Sequence, residues 1–181
     1  VTANAVLTST EHRVKVSLRG PSMLATVALV DPALTLSCPP LVTAQSGMDA
    51  LTQCLEPLTS RFATPMVDAL ATSGLRAASR GLARAVAEGE DLAARTDMAF
   101  CSLMGGLSLA NAKLGAVHGF AGPLGGTTGA PHGAVCAALL RVTTRTNIRA
   151  MAEREPDNPA LAKYALAAEA LTGQRPDSDP E

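Results

Sequence analysis

The chain has 181 residues, 47% of them hydrophobic, and a formal net charge of -1. Fifteen Lys and Arg against sixteen Asp and Glu leave no clustered positive charge, which excludes the electrostatic footprint of a nucleic-acid binder. Aromatic residues are 2% and Trp is absent, so base-stacking platforms are excluded as well. The apolar content is too high for a disordered chain, and the length suits one domain.

The N-terminal residues Val1–Val6 carry no basic segment of a secretory leader. Arg13–Leu18 alternates polar and apolar residues, the period of a half-buried strand. Thr26–Val30 is a short apolar run closed by Asp31-Pro32, and reads as a second, buried strand. A small β element over residues 1–40 is therefore expected, packed against helices because so small a sheet cannot stand alone.

Beyond Pro39-Pro40 the pattern is helical. Met48, Leu51 and Leu55 fall at helical spacing within 43–58. Thr64-Pro65 is a cap followed by proline at the first helical position, opening a helix towards Ala87. Glu88–Asp91 breaks the chain and restarts it as a helix over 92–114, with Gly115 as its expected C-cap. Asn158-Pro159 opens a last helix over 160–171. The composition predicts a mainly α fold, helical over 41–172, with a disordered tail over 173–181.

The stretch 114–140 lacks Asp, Glu, Lys and Arg, but His118, His132, two prolines and many glycines interrupt it. A bilayer helix is continuous and apolar, so no membrane partner is expected. Cys38, Cys54, Cys101 and Cys136 form no C-x-x-C pair and sit among apolar residues. They read as buried reduced thiols of a cytoplasmic protein.

Two constellations bear chemistry. Asp49 and Gln53 lie four apart on one helix face, either a solvated polar pair or two donors to one ligand. His118 and His132 lie in glycine- and proline-punctuated sequence where a backbone approaches ligands closely. Each is either a structural histidine (one in the core, one at a helix start) or a ligand of a divalent transition metal. His12 reads as an exposed turn residue. Gly125–Gly129 lacks the lysine and hydroxyl of a P-loop, and no Rossmann glycine pattern or G-x-S-x-G elbow occurs.

In order, Val30-Asp31-Pro32, Thr43–Gln53, Leu114–Gly119 and Pro131-His132-Gly133, with fourteen residues from His118 to His132, resemble the iron-containing (group III) alcohol dehydrogenases. The resemblance covers residues 1 to about 150. It implies a C-terminal helical metal-binding domain, with residues 1–40 as the end of an α/β nucleotide-binding domain. It also implies Asp49, Gln53, His118 and His132 as ligands of a divalent metal, Fe or Zn, and places Lys15 near the cofactor. Where relatives commonly carry His, this chain has Gln53, whose amide oxygen is a weaker donor to Fe or Zn. A further histidine of the family falls on Gly122, removing a side-chain proton relay.

The implied reaction is reversible oxidation of an alcohol to an aldehyde or ketone with NAD or NADP, the nucleotide being bound mainly by the domain not included in this chain. Substrates would be small alcohols or carbonyls. The alternatives are a maleylacetate reductase-like activity, or a non-catalytic helical module whose apolar face promotes self-association into a homo-oligomer. On this reading the isolated chain is inactive, with no catalytic side chain of its own.

Overall fold

The computed structural model describes residues 1–174, so the tail expected over 173–181 falls largely outside the described residues. An antiparallel hairpin opens the chain: β1 (Asn4–Ser9) pairs with β2 (Val14–Arg19), with Asn4 opposite Arg19 and Ser9 opposite Val14. Six α-helices follow among the described residues: α1 (Pro40–Leu58), α2 (Pro65–Ala87), α3 (Leu92–Ala112), α4 (Ala116–Thr128), α5 (His132–Arg154) and α6 (Pro159–Thr172). The mainly α fold with a short N-terminal β element is as the sequence predicts.

The helix starts follow their capping residues. Thr64 accepts from Val67 N, Asp91 from Ala94 N and Asn158 from Ala160 N, each satisfying an otherwise orphaned donor. Two expectations are corrected. Thr26–Val30 forms no strand; it is an irregular segment with Val27 80% and Leu29 90% exposed, because no neighbouring strand pairs with it. Gly115 does not cap α3, whose C-cap is Lys113 with φ 65°; Gly115 is instead the N-cap of α4.

The core lies among α1, α2 and α3, with α6 against α2. Leu51, Cys54, Leu55, Leu58, Leu75 and Met104 fill it between alanines and glycines, and the small residues let the helix axes approach closely. Buried Arg95 ties α3 to the start of α1, donating to Thr43 Oγ1, Cys38 O and Gly89 O. Cys54 and Cys101 are both buried, with sulfurs 4.0 Å apart. The hydrogen bond between them and burial push the Cys54 thiol up, so it stays neutral.

The helices that matter for the site form a chain of contacts. α5 packs on α1, α4 on α5, and β2 on α4. α3 and α4 are apolar together but bend by 103° at their junction, and no single helix among the described residues is long and apolar enough to cross a membrane.

One glycine sets the distance between α1 and α5. A Cβ on Gly133 would lie 2.2 Å from the Gln45 carbonyl oxygen, which is backbone and cannot move aside. We expect Gly133→Ala to destabilise the chain by about 1–3 kcal/mol, the usual cost of overpacking, measured as a lower urea midpoint. An unchanged midpoint would show that α5 does not approach α1 this closely.

Candidate metal centre

α1 presents Asp49, Gln53 and Glu56 within two turns. Asp49 and Gln53 are one turn apart, as their spacing requires, and Glu56 lies a further turn along the same side. α4 contributes His118 two residues inside its N-terminus, and α5 contributes His132 as its first residue and Cys136 one turn later.

The three helices meet at the Asp49 carboxylate. Asp49 Oδ1 lies 3.0 Å from His118 Nε2 and 3.7 Å from His132 Nε2. The two imidazole rings are 5.4 Å apart and tilted by 54°. Cys136 Sγ lies 3.7 Å from His132 Nε2 and 4.0 Å from His118 Nε2. One ligand atom from each of Asp49, His118, His132 and Cys136 falls within 4.8 Å of the others.

On its other side His118 meets a second carboxylate. Its Nδ1 is 2.7 Å from Glu56 Oε2, and Glu56 Oε1 accepts from Val117 N at 2.7 Å. Glu56 is buried, and Gly115 leaves room for it, since a Cβ there would sit 2.8 Å from Glu56 Oε1. A carboxylate only accepts, so Nδ1 carries a proton and donates to Glu56. In a neutral ring Nε2 would then turn its lone pair on Asp49 Oδ1. The contact is favourable only if a cation, a proton or a metal ion, stands on the Nε2 side.

The ionisation behaviour follows from this arrangement. Burial alone would lower the His118 imidazolium, but Asp49, Cys136 and Glu56 outweigh burial and raise it to about 11. His132 moves down: burial, the charge of His118 and that of Lys15 exceed the pull of Asp49. Burial would raise Asp49, yet His118, His132 and Gln53 together hold it below the usual carboxylate range.

The structure brings Asp49, His118 and His132 together, and Gln53 joins them through Asp49 alone. Its amide nitrogen donates to Asp49 Oδ2 at 3.1 Å, the oxygen that does not face the histidines. Lys15 stands close enough for its charge to act on His132, and its Nζ sits beside Gly125 in the last turns of α4, where a cation complements the carbonyl end of the helix. His12 is an exposed turn residue. Cys136 is, as expected, a buried free thiol among apolar neighbours, Val117 and Ala121 among them, and its sulfur also faces two imidazoles. Glu56 and Cys136 also belong to the site, although no short sequence window singles them out. The available signals were their spacings, seven residues after Asp49 and four after His132.

Residues 43–179 match the model described as the Fe-containing alcohol dehydrogenase family, C-terminal, and the chain belongs to that family. It is 42% identical over 157 residues to 1,3-propanediol dehydrogenase of Klebsiella pneumoniae, covering 87% of this chain and 41% of that protein. An archaeal halo-thermophilic alcohol dehydrogenase from a Red Sea brine pool superposes with a TM-score of 0.88 at 30% identity, covering 97% of this chain and 43% of that one. Maleylacetate reductase from Agrobacterium tumefaciens superposes with a TM-score of 0.79 at 30% identity, covering 97% of this chain and 47% of that one. The chain thus spans about two-fifths of the length of the first curated relative it matches.

The donor set fits the divalent metal that the family implies: one carboxylate oxygen, two imidazole nitrogens and a thiol sulfur are all first-row transition-metal donors. For the protein stripped of metal by chelation, the sign of the pH dependence is set by His118. A pKa raised from 6.5 to about 11 gives a stabilisation present in full below 6.5 and lost as pH rises through about 11. We expect imidazole NMR at mildly alkaline pH to show His118 protonated and His132 neutral. Titration of His118 near its ordinary value would contradict the paired-carboxylate geometry.

Proposed function

We propose that this chain is the metal-binding helical part of an alcohol dehydrogenase that reversibly oxidises an alcohol to an aldehyde or ketone with NAD or NADP. The observation that carries the reading is the convergence of Asp49 Oδ1, His118 Nε2 and His132 Nε2 from three different helices. These residues would hold the metal, Fe or Zn. A divalent ion bound there supplies Lewis acidity, which favours loss of the hydroxyl proton from an alcohol.

The chain's own residues set the rest. Glu56 fixes the orientation of the His118 ring and keeps its Nδ1 proton, leaving Nε2 for the cation. Gln53 steadies Asp49 from the far oxygen. Beside His118, positions Gly119 and Gly122 open onto free space, with nothing within 4 Å of a Cβ built there. A small alcohol or carbonyl would be admitted on that side, and no side chain at position 122 relays its proton.

Gly125–Thr128 is the last turn of α4 rather than a phosphate loop. Binding of the nicotinamide is assigned mainly to the family's nucleotide-binding domain, with Lys15 near the cofactor, and the 181-residue chain alone is expected to show no turnover. Residues 1–40 are read as the edge of that nucleotide-binding domain. Val6, Leu7, Val16 and Leu18 of the hairpin are exposed, as strands awaiting a covering layer would be. A maleylacetate reductase-like activity would use the same site and rests on the likeness to that reductase.

The test is metal binding by the chain after chelation. Zinc at about 100 times its dissociation constant should raise unfolding stability by about 2.7 kcal/mol, with one ion per chain. Asp49→Ala and His132→Ala should abolish the shift, and Glu56→Gln should weaken zinc by about 10–100-fold. A chain that shows no thermal shift with Zn, Fe or Co would refute the reading.

A further inference from the structure

We propose that Cys136 Sγ is the fourth protein ligand of the metal, standing where the sequence pattern would put Gln53, and that it makes the site thiophilic. The inference rests on the metal reading above and adds to it the identity of one donor and the class of ion preferred.

The geometry comes first. A tetrahedral site with bonds of roughly 2.0–2.3 Å has donor-to-donor edges of roughly 3.3–3.6 Å. The distances from Asp49 Oδ1 to His118 Nε2 and His132 Nε2 are 3.0 and 3.7 Å, and those from Cys136 Sγ to His132 Nε2 and His118 Nε2 are 3.7 and 4.0 Å. These four edges bracket the tetrahedral value and all six lie within 4.8 Å, so the donors surround one position and need only contract on an ion.

Gln53 does not compete for that corner. The atom it offers Asp49 must be its amide nitrogen, because a carboxylate oxygen repels a carbonyl oxygen at 3.1 Å. That bond is made to Oδ2, whereas the histidines share Oδ1. Gln53 is thus a neighbour that orients Asp49, and the corner opposite Asp49 belongs to Cys136. His132 and Cys136 stand one turn apart on α5, giving two donors from one rigid helix face.

Ligation forms a sulfur–metal bond and releases the thiol proton to solvent; no electron is transferred. A carboxylate, two imidazoles and a thiolate make a softer set than a carboxylate with imidazoles or an amide oxygen. It favours Zn and Co over Mn and Mg. Burial of Cys136, with none of its surface exposed, shields the sulfur from bulk oxidants.

Cobalt substitution of the full 181-residue chain is the test, because a thiolate bound to Co(II) adds an intense near-ultraviolet charge-transfer band to the visible ligand-field bands. The chain with cobalt should show both sets. Cys136→Ala should keep the visible bands and lose the near-ultraviolet one, while Cys38→Ser and Gln53→Ala keep both. In competition titrations Cys136→Ser should weaken zinc beyond the about 10–100-fold typical of losing an outer-shell partner, leaving manganese affinity nearly unchanged. Visible bands without the charge-transfer band in the unmodified chain, or a band that survives Cys136→Ala, would overturn thiolate ligation alone. The absence of every cobalt band would overturn it together with the metal reading.

Discussion

The structure depends on one electrostatic constraint: a histidine held between two carboxylates. His118 faces Glu56 through Nδ1 and Asp49 through Nε2, in a pocket where its side chain is 9% exposed. One imidazole proton satisfies only one of those contacts, and the remaining negative charge needs a cation. The Nε2 proton, which Asp49, Cys136 and Glu56 hold on His118 up to about pH 11, and the metal ion expected there compete for the same place. A site built this way binds metal more weakly as pH falls, because protons occupy its donors.

The rest of the fold serves to bring that cation site together from distant parts of the chain. α1 is the shared wall, packed on α2 and α3 through small residues and on α5 through Gly133. Ser60 Oγ donates to Ala112 O at 2.7 Å, fixing where α3 ends and the turn into α4 begins. From that turn α4 carries His118 back towards Glu56, whose carboxylate also takes the Val117 amide at the α4 N-terminus. The carboxylate therefore helps start the helix that it later orients, which couples formation of the site to formation of the fold.

Much of this was legible in the sequence because it is local. The i, i+4 pair Asp49 and Gln53, the caps at Thr64 and Asn158, and the glycine-flanked histidines are all readable from short windows, and the order of the motifs pointed to the family. What escaped depends on contacts across the chain. Glu56 reads as an ordinary helix acid until α4 is seen to dock on it, 62 residues away from His118. Cys136 reads as a core thiol until α5 is placed against α1. The apolar run Thr26–Val30 has the composition of a buried strand, but a strand needs a partner, and among the described residues it has none.

The most direct measurement of the central claim is anomalous diffraction at the zinc edge from crystals of the chain grown with zinc. The account predicts one strong peak within bonding distance of Asp49 Oδ1, His118 Nε2 and His132 Nε2. Bonds there should be roughly 2.0–2.2 Å to nitrogen and oxygen, with Glu56 still bonded to the far side of the His118 ring. A peak on surface residues only, or a cluster that stays closed on its own hydrogen bonds with zinc present, would contradict it.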